Sequence, residues 1–171
     1  MVYHKMPIIF FMLLALFVSP SFAEKKVAPA PIKFDISQSV LKQALAEDVT
    51  PEDAIEAMKS KAVALNMKFV AHQPLSTELN SRGVKSARLE IFQFCTPLDA
   101  RKMVSFNPVF AAYMPCRIAL VEDEQGKNWL MMLNLDMLIN STPLPDEVRK
   151  IAVKVSTNLK AIIDAAASGD F

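Results

Sequence analysis

Two cysteines, each next to or one residue from a proline, are the residues of this chain best suited to chemistry: Phe94-Cys95-Thr96-Pro97 and Met114-Pro115-Cys116-Arg117. They are the only cysteines of 171 residues. Three chemistries are open to such a pair. In an oxidising compartment the default is a disulfide, closing a loop of about 20 residues and stabilising the fold by roughly 3 kcal/mol in the loop-entropy description. Two separate thiols would instead pack as small apolar groups. The third is soft-metal or thiol-redox chemistry. Cys95, Cys116, His72 and Met114, with Met103, Met131 and Met132 nearby in type, are ligands suited to monovalent copper. No Met-x-Met or Cys-x-x-Cys run fixes a ligand geometry, so no cofactor is expected, with copper kept as the alternative. His72 is the sole histidine after the leader and reads as a strand-end residue before Gln73-Pro74.

Further polar and aromatic residues complete a candidate groove: Phe94, Phe106, Phe110, Tyr113, Arg117, Trp129, Asn134 and Asp136. Asn134 and Asp136 read as a polar pair at a strand end. Arg117 reads as a cross-strand partner of Glu90 or Glu122, with the holding of an anion as its functional alternative. No nucleophile lies at a recognisable spacing from a base, so the chain reads as a binding protein and not an enzyme.

Composition excludes several partners. Lys plus Arg 19 against Asp plus Glu 18 leaves no electrostatic footprint for nucleic acid or an anionic bilayer. The three glycines, Gly83, Gly126 and Gly169, are too scattered to build a phosphate-cradling loop. The apolar run from Pro7 to Val18, ending at Ser21-Phe22-Ala23, predicts a signal peptide over 1–23 and a periplasmic or secreted protein that leaves the membrane once cleaved. Residues 24–33, with Pro29 and Pro31, predict a flexible lead, and 34–171 a single domain.

The elements that must position the cysteines are readable in part. Thr50-Pro51-Glu52-Asp53 opens a helix carrying Ile55, Met58, Ala62 and Leu65 on one face. Leu144-Pro145-Asp146-Glu147 opens a longer one, striped by Val148, Ile151, Ala152, Val155, Leu159, Ile162 and Ile163 and stopped at Gly169. Between them the strand candidates are Met67–His72, Ala87–Phe94, Arg117–Glu122 and Asn128–Met137, the last two joined by an Asp123–Gly126 turn. Residues 98–103 and 110–113 read as helical pieces broken at Asn107-Pro108. The segment 34–45 reads equally as a strand or a short helix. Alternation along 128–137 puts Trp129, Met131, Leu133, Leu135 and Met137 on one face, with Leu130, Met132 and Leu138 on the other. Helices can cover only one of these faces, so a homodimer, an apolar ligand or an envelope protein is expected on the second.

These same stretches, Asn66-Met67-Lys68-Phe69, Leu89 to Pro97, Met114 to Asp123 and Gly126 to Trp129, resemble the domain of unknown function family 302 over roughly Thr50 to Asp136. The resemblance implies an α+β fold of the TATA-box-binding-protein-like type, order β-α-β-β-β-β-α, an antiparallel sheet with helices on one face. It also implies a small homodimer or a domain found beside others, with no activity established for the family. The chain departs from the family pattern in its cysteines and in Gln93-Phe94-Cys95, where the family has a small, glycine-containing turn. An exported, cysteine-containing subgroup is the expectation that follows.

Overall fold

The computed structural model describes residues 35–171. The expected signal peptide and lead lie outside those residues. The segment read as strand or helix is both in turn: a 3₁₀ turn at Ile36–Ser39, capped by Asp35, runs into strand β1, Val40–Ala44. Helix α1, Pro51–Ala64, begins where expected, with Thr50 Oγ1 accepting from the Asp53 N–H at 3.1 Å and Pro51 in the first turn. Asn66, at φ 54°, reverses the chain into β2, Lys68–Pro74. A short helix α2, Leu75–Ser81, which the sequence reading lacked, connects to β3, Leu89–Cys95.

Helix α3, Pro97–Phe106, and a 3₁₀ turn, Pro108–Tyr113, meet at Asn107, whose side chain caps the second by accepting from the Val109 N–H. Strands β4, Cys116–Glu122, and β5, Asn128–Leu133, form the expected hairpin. Its turn uses Gly126 at φ 78°, while Asp123 Oδ1 accepts from the N–H groups of Gln125 and Lys127. The expected strand over 128–137 stops early. Asn134 Oδ1 accepts from the Met137 N–H and caps helix α4, Leu135–Ser141, so the local cap overrides the apolar alternation. Leu135 and Met137 therefore do not extend the strand face. Helix α5, Asp146–Ser168, ends on Gly169 in the left-handed conformation.

The sheet is antiparallel throughout, in the order β1-β5-β4-β3-β2. The fold is thus α+β, in the expected order β-α-β-β-β-β-α with α2, α3 and α4 inserted. Alternation sends Phe92, Phe94, Ile118, Leu120, Leu130 and Met132 to one face, where they pack against Met58 and Ala62 of α1 and Leu159, Ile162 and Ile163 of α5. Each such side chain contributes about 1.5–3 kcal/mol by leaving water. Alanines at 54, 57, 62, 166 and 167, all buried, let the two helices lie close to each other and to the sheet. The other face carries Trp129, Met131 and Leu133 beside Val40, Lys42, Ala119 and Ile91. Among the described residues no helix covers it, and none is long and apolar enough to cross a membrane.

Candidate functional site

Helix α5 outreaches the sheet. Its C-terminal half lies on the strands, while Ile151, Ala152 and Val155 of its N-terminal half face α3 and α4 across a cavity of about 270 Å³. Most of the wall is apolar: Ala100 and Met103 of α3, Val109, Phe110 and Tyr113 of the 3₁₀ turn, and Leu135, Leu138 and Ile139 of α4. Both cysteines also line it, Cys95 where β3 ends and Cys116 where β4 begins. The expectation that a loop leaving and re-entering the sheet brings them to one place is met. Phe94 pairs directly with Cys116, which sets Cys95 one residue further along the neighbouring strand.

Both are free thiols in the structure. Burial pushes the Cys116 thiol up to about 11, helped by the nearby Cys95 and opposed by Arg117. Cys95 is raised too, by burial first and then by the carboxylate of Asp99. Thiols held protonated in this way are poor nucleophiles at neutral pH.

Polar groups at the cavity are few. Thr96, the residue before α3, leaves its hydroxyl buried with no hydrogen-bond partner and makes no side-chain cap. Asp99 is buried, and its Oδ2 lies 2.5 Å from Lys154 Nζ of α5 as an ion pair whose angles do not make a hydrogen bond. Asn107 and Thr142 complete the polar lining.

The residues singled out in the sequence separate into four places. Phe110 and Tyr113 line the cavity with the cysteines and Met114. Phe94 is fully buried in the core between sheet and helices. Phe106 lies outside, half exposed, with its ring centroid 6.3 Å from that of Phe110. Trp129 lies on the uncovered sheet face, with Lys42 and Lys127 over its ring and its indole N–H donating to Asp123 at 2.7 Å.

The polar candidates are engaged elsewhere. His72 bonds Glu90 at 2.6 Å and stacks on Phe92, while Arg88 joins Glu90 to Glu52 of α1. It does not line the cavity, so it leaves the sulfur set. Arg117 is exposed and opposite Gln93 in the register; Glu90 pairs with His72 and Arg88, and Glu122 accepts from the Arg88 N–H. Asn134 caps α4. Asp136 accepts from Ser156 Oγ at 2.7 Å and from Lys160, which hold its carboxyl below the usual range and pin α4 to α5. Met131 lies on the uncovered face, and Met132 in the core.

Sequence reasoning missed Thr96, Asp99, Met67 and all of the α4 wall as cavity residues. One signal was present: Asn134 followed by Leu135-Asp136-Met137-Leu138-Ile139, with Asp136 in the first turn, is a helix start as well as a strand end.

Comparison with known proteins gives a consistent picture. The family model described as "Domain of unknown function DUF302" matches residues 42–166. Among curated proteins no relative matches. The crystal structure of an uncharacterized conserved protein DUF302 from Bacillus stearothermophilus superposes with a TM-score of 0.64 at 17% identity, over 75% of this chain and 98% of that one.

Proposed function

We propose, for a chain that belongs to the DUF302 family, that it is an exported binding protein whose cavity between α3, α4 and α5 takes a small apolar molecule. The cavity itself carries this reading. About 270 Å³ walled by leucine, isoleucine, valine, methionine and aromatic side chains sits just below the size range of small-molecule sites, about 300–1,000 Å³. The buried Thr96 hydroxyl, without a protein partner, suits a ligand with one hydrogen-bonding group on an apolar body. Export is inferred from the apolar run Pro7–Val18 and the small-x-small site at Ser21–Ala23. The cysteines, outside the general family pattern, would then mark an exported subgroup.

The test is displacement of an environment-sensitive apolar fluorophore from the full-length protein by straight-chain alcohols of increasing length. Affinity rising with each methylene and then reaching a plateau, as the cavity fills, is expected. A fluorophore that binds equally well with the cavity blocked by a large side chain would contradict it.

The uncovered sheet face supports a second reading, self-association through Trp129, Met131 and Leu133. Sedimentation of wild type beside Met131→Glu checks it: a dimer that the substitution dissociates supports the reading, and a wild-type monomer removes it.

A further inference from the structure

We propose that the sulfur-bearing side chains at one end of the sheet form a binding site for monovalent copper, with Cys95 and Cys116 as thiolate ligands and a methionine thioether completing the set. The cavity gathers them at the ends of the strands, although the register sets the two cysteines one residue out of step, Cys116 on the helix face with Phe94 and Cys95 at the strand end beyond it. Lys68 pairs with Cys95 and Phe94 with Cys116, so three adjacent strands begin or end at one level, some 4.7–4.9 Å apart. Met67 directly precedes β2 and Met114 lies just before β4, so both flank the cysteines at that level. Met103 of helix α3 is buried and lines the same cavity. All five side chains line the same cavity, which thereby holds every cysteine of the chain.

The donor set decides the metal. Magnesium, calcium and manganese want oxygen ligands, and the single carboxylate on the wall, Asp99, is committed to Lys154. Zinc takes four ligands from cysteine, histidine and carboxylate, and here only the two cysteines qualify. Among the described residues no three of those types come together. What is present beyond the cysteines is thioether, which copper(I) accepts. The binding step moves no electrons: each copper–thiolate bond forms as an S–H bond breaks, its proton passes to solvent, and copper remains in the +1 state. Two thiolates around one copper(I) carry a single negative charge, and the guanidinium of Arg117 is the neighbouring cation that favours it.

This site uses the same cavity as the apolar-ligand reading without depending on it. The full-length protein, reduced and kept anaerobic, is titrated with copper(I) against a chromogenic copper(I) chelator, with the X-ray absorption spectrum recorded on the loaded sample. One copper per chain withheld from the chelator, release of two protons and a shell of sulfur scatterers only are expected. Cys95→Ser/Cys116→Ser should weaken binding by on the order of 100-fold or more, since even outer partners of metal ligands are worth about 10–100-fold. Met103→Leu/Met114→Leu keeps the wall apolar and should weaken it less. Wild type that yields all its copper to the chelator overturns the proposal, as do nitrogen or oxygen scatterers or a double-serine variant that keeps the metal. If the serine variant fails to fold, the wild-type spectrum and proton count decide alone. An apolar probe that still binds a chain unable to hold copper would remove the metal site and leave the apolar-ligand reading standing.

Discussion

Lys154 Nζ on α5 reaches Asp99 Oδ2 on α3 at 2.5 Å, tying together two of the helices that wall the cavity. The two ends of the pair are unequal. The Asp99 side chain is 11% exposed and that of Lys154 54%, so the lysine can return to water and the carboxylate cannot. Lys154→Met should therefore destabilise by about 1–3 kcal/mol, the cost of a buried carboxylate deprived of its counter-charge. Adding Asp99→Asn should recover part of that loss. Urea unfolding of the single and double variants measures both, and a Lys154→Met variant as stable as wild type would show that water serves the carboxylate as well as the lysine does.

Ala152→Phe places a ring in the cavity from the α5 side. Its free volume and apolar walls predict that the ring is accommodated, with the melting temperature held or raised, while the apolar fluorophore loses its site. A variant that melts earlier and still binds the fluorophore would put the ligand elsewhere.

The thiols should titrate late. Cys116, held at about 11, and Cys95, raised less, predict that iodoacetamide labels Cys95 first near neutral pH, with the Cys116 rate still climbing above pH 9. The same shift makes stability fall with alkali. Below the unfolded thiol's pKa both states are protonated and the contribution is complete. As pH rises above 9 the unfolded chain loses its Cys116 proton first, so stability declines until the folded thiol ionises near about 11. Cys116→Ala should flatten that part of the stability profile relative to wild type. Simultaneous labelling of both thiols at neutral pH would contradict this ordering.

Gly169 and Gly126 both have positive φ, but their surroundings differ. A Cβ at Gly169 would come 3.1 Å from Val49 Cγ2, whereas at Gly126 the nearest atom is Glu122 Oε1 at 3.9 Å. Each change to alanine carries the left-handed penalty of roughly 1–2 kcal/mol. Gly169→Ala must also displace Val49, so its unfolding midpoint should drop further than that of Gly126→Ala.

Local signals made much of this fold readable. Thr50-Pro51 marks the start of α1, Gly126 the hairpin turn, and Asn107-Pro108 the break between α3 and the 3₁₀ turn, because each acts through its own backbone neighbours. The stripe along α5 was also visible, but not its division: Leu159 and Ile162 meet strands while Ile151 and Val155 meet α3 and α4, and a periodic pattern says nothing about which surface it faces. Helix α4 was hidden because Leu135 and Met137 continue the alternation of β5, and one asparagine side chain decides otherwise. The cysteines were found from type and compartment. Their companions at the cavity, Met67 just ahead of β2 and Met103 on α3, are far away in sequence, and only the packing of those elements brings them to one wall.

The strand order has a consequence for how the chain becomes a protein. β1, first to be made, has a single neighbour in the sheet, β5, and the turn after it is held by the Ala46 N–H donating to Ala167 at the end of α5. An edge strand whose partners are synthesised last must wait through nearly the whole chain, and such distant pairings slow folding. Pulse-labelled hydrogen exchange should show amides of the β2–β3–β4 meander protected first and those of 40–44 last, together with 129–133. Until that closing step the first segment of the domain stays available to whatever machinery handles the unfolded chain.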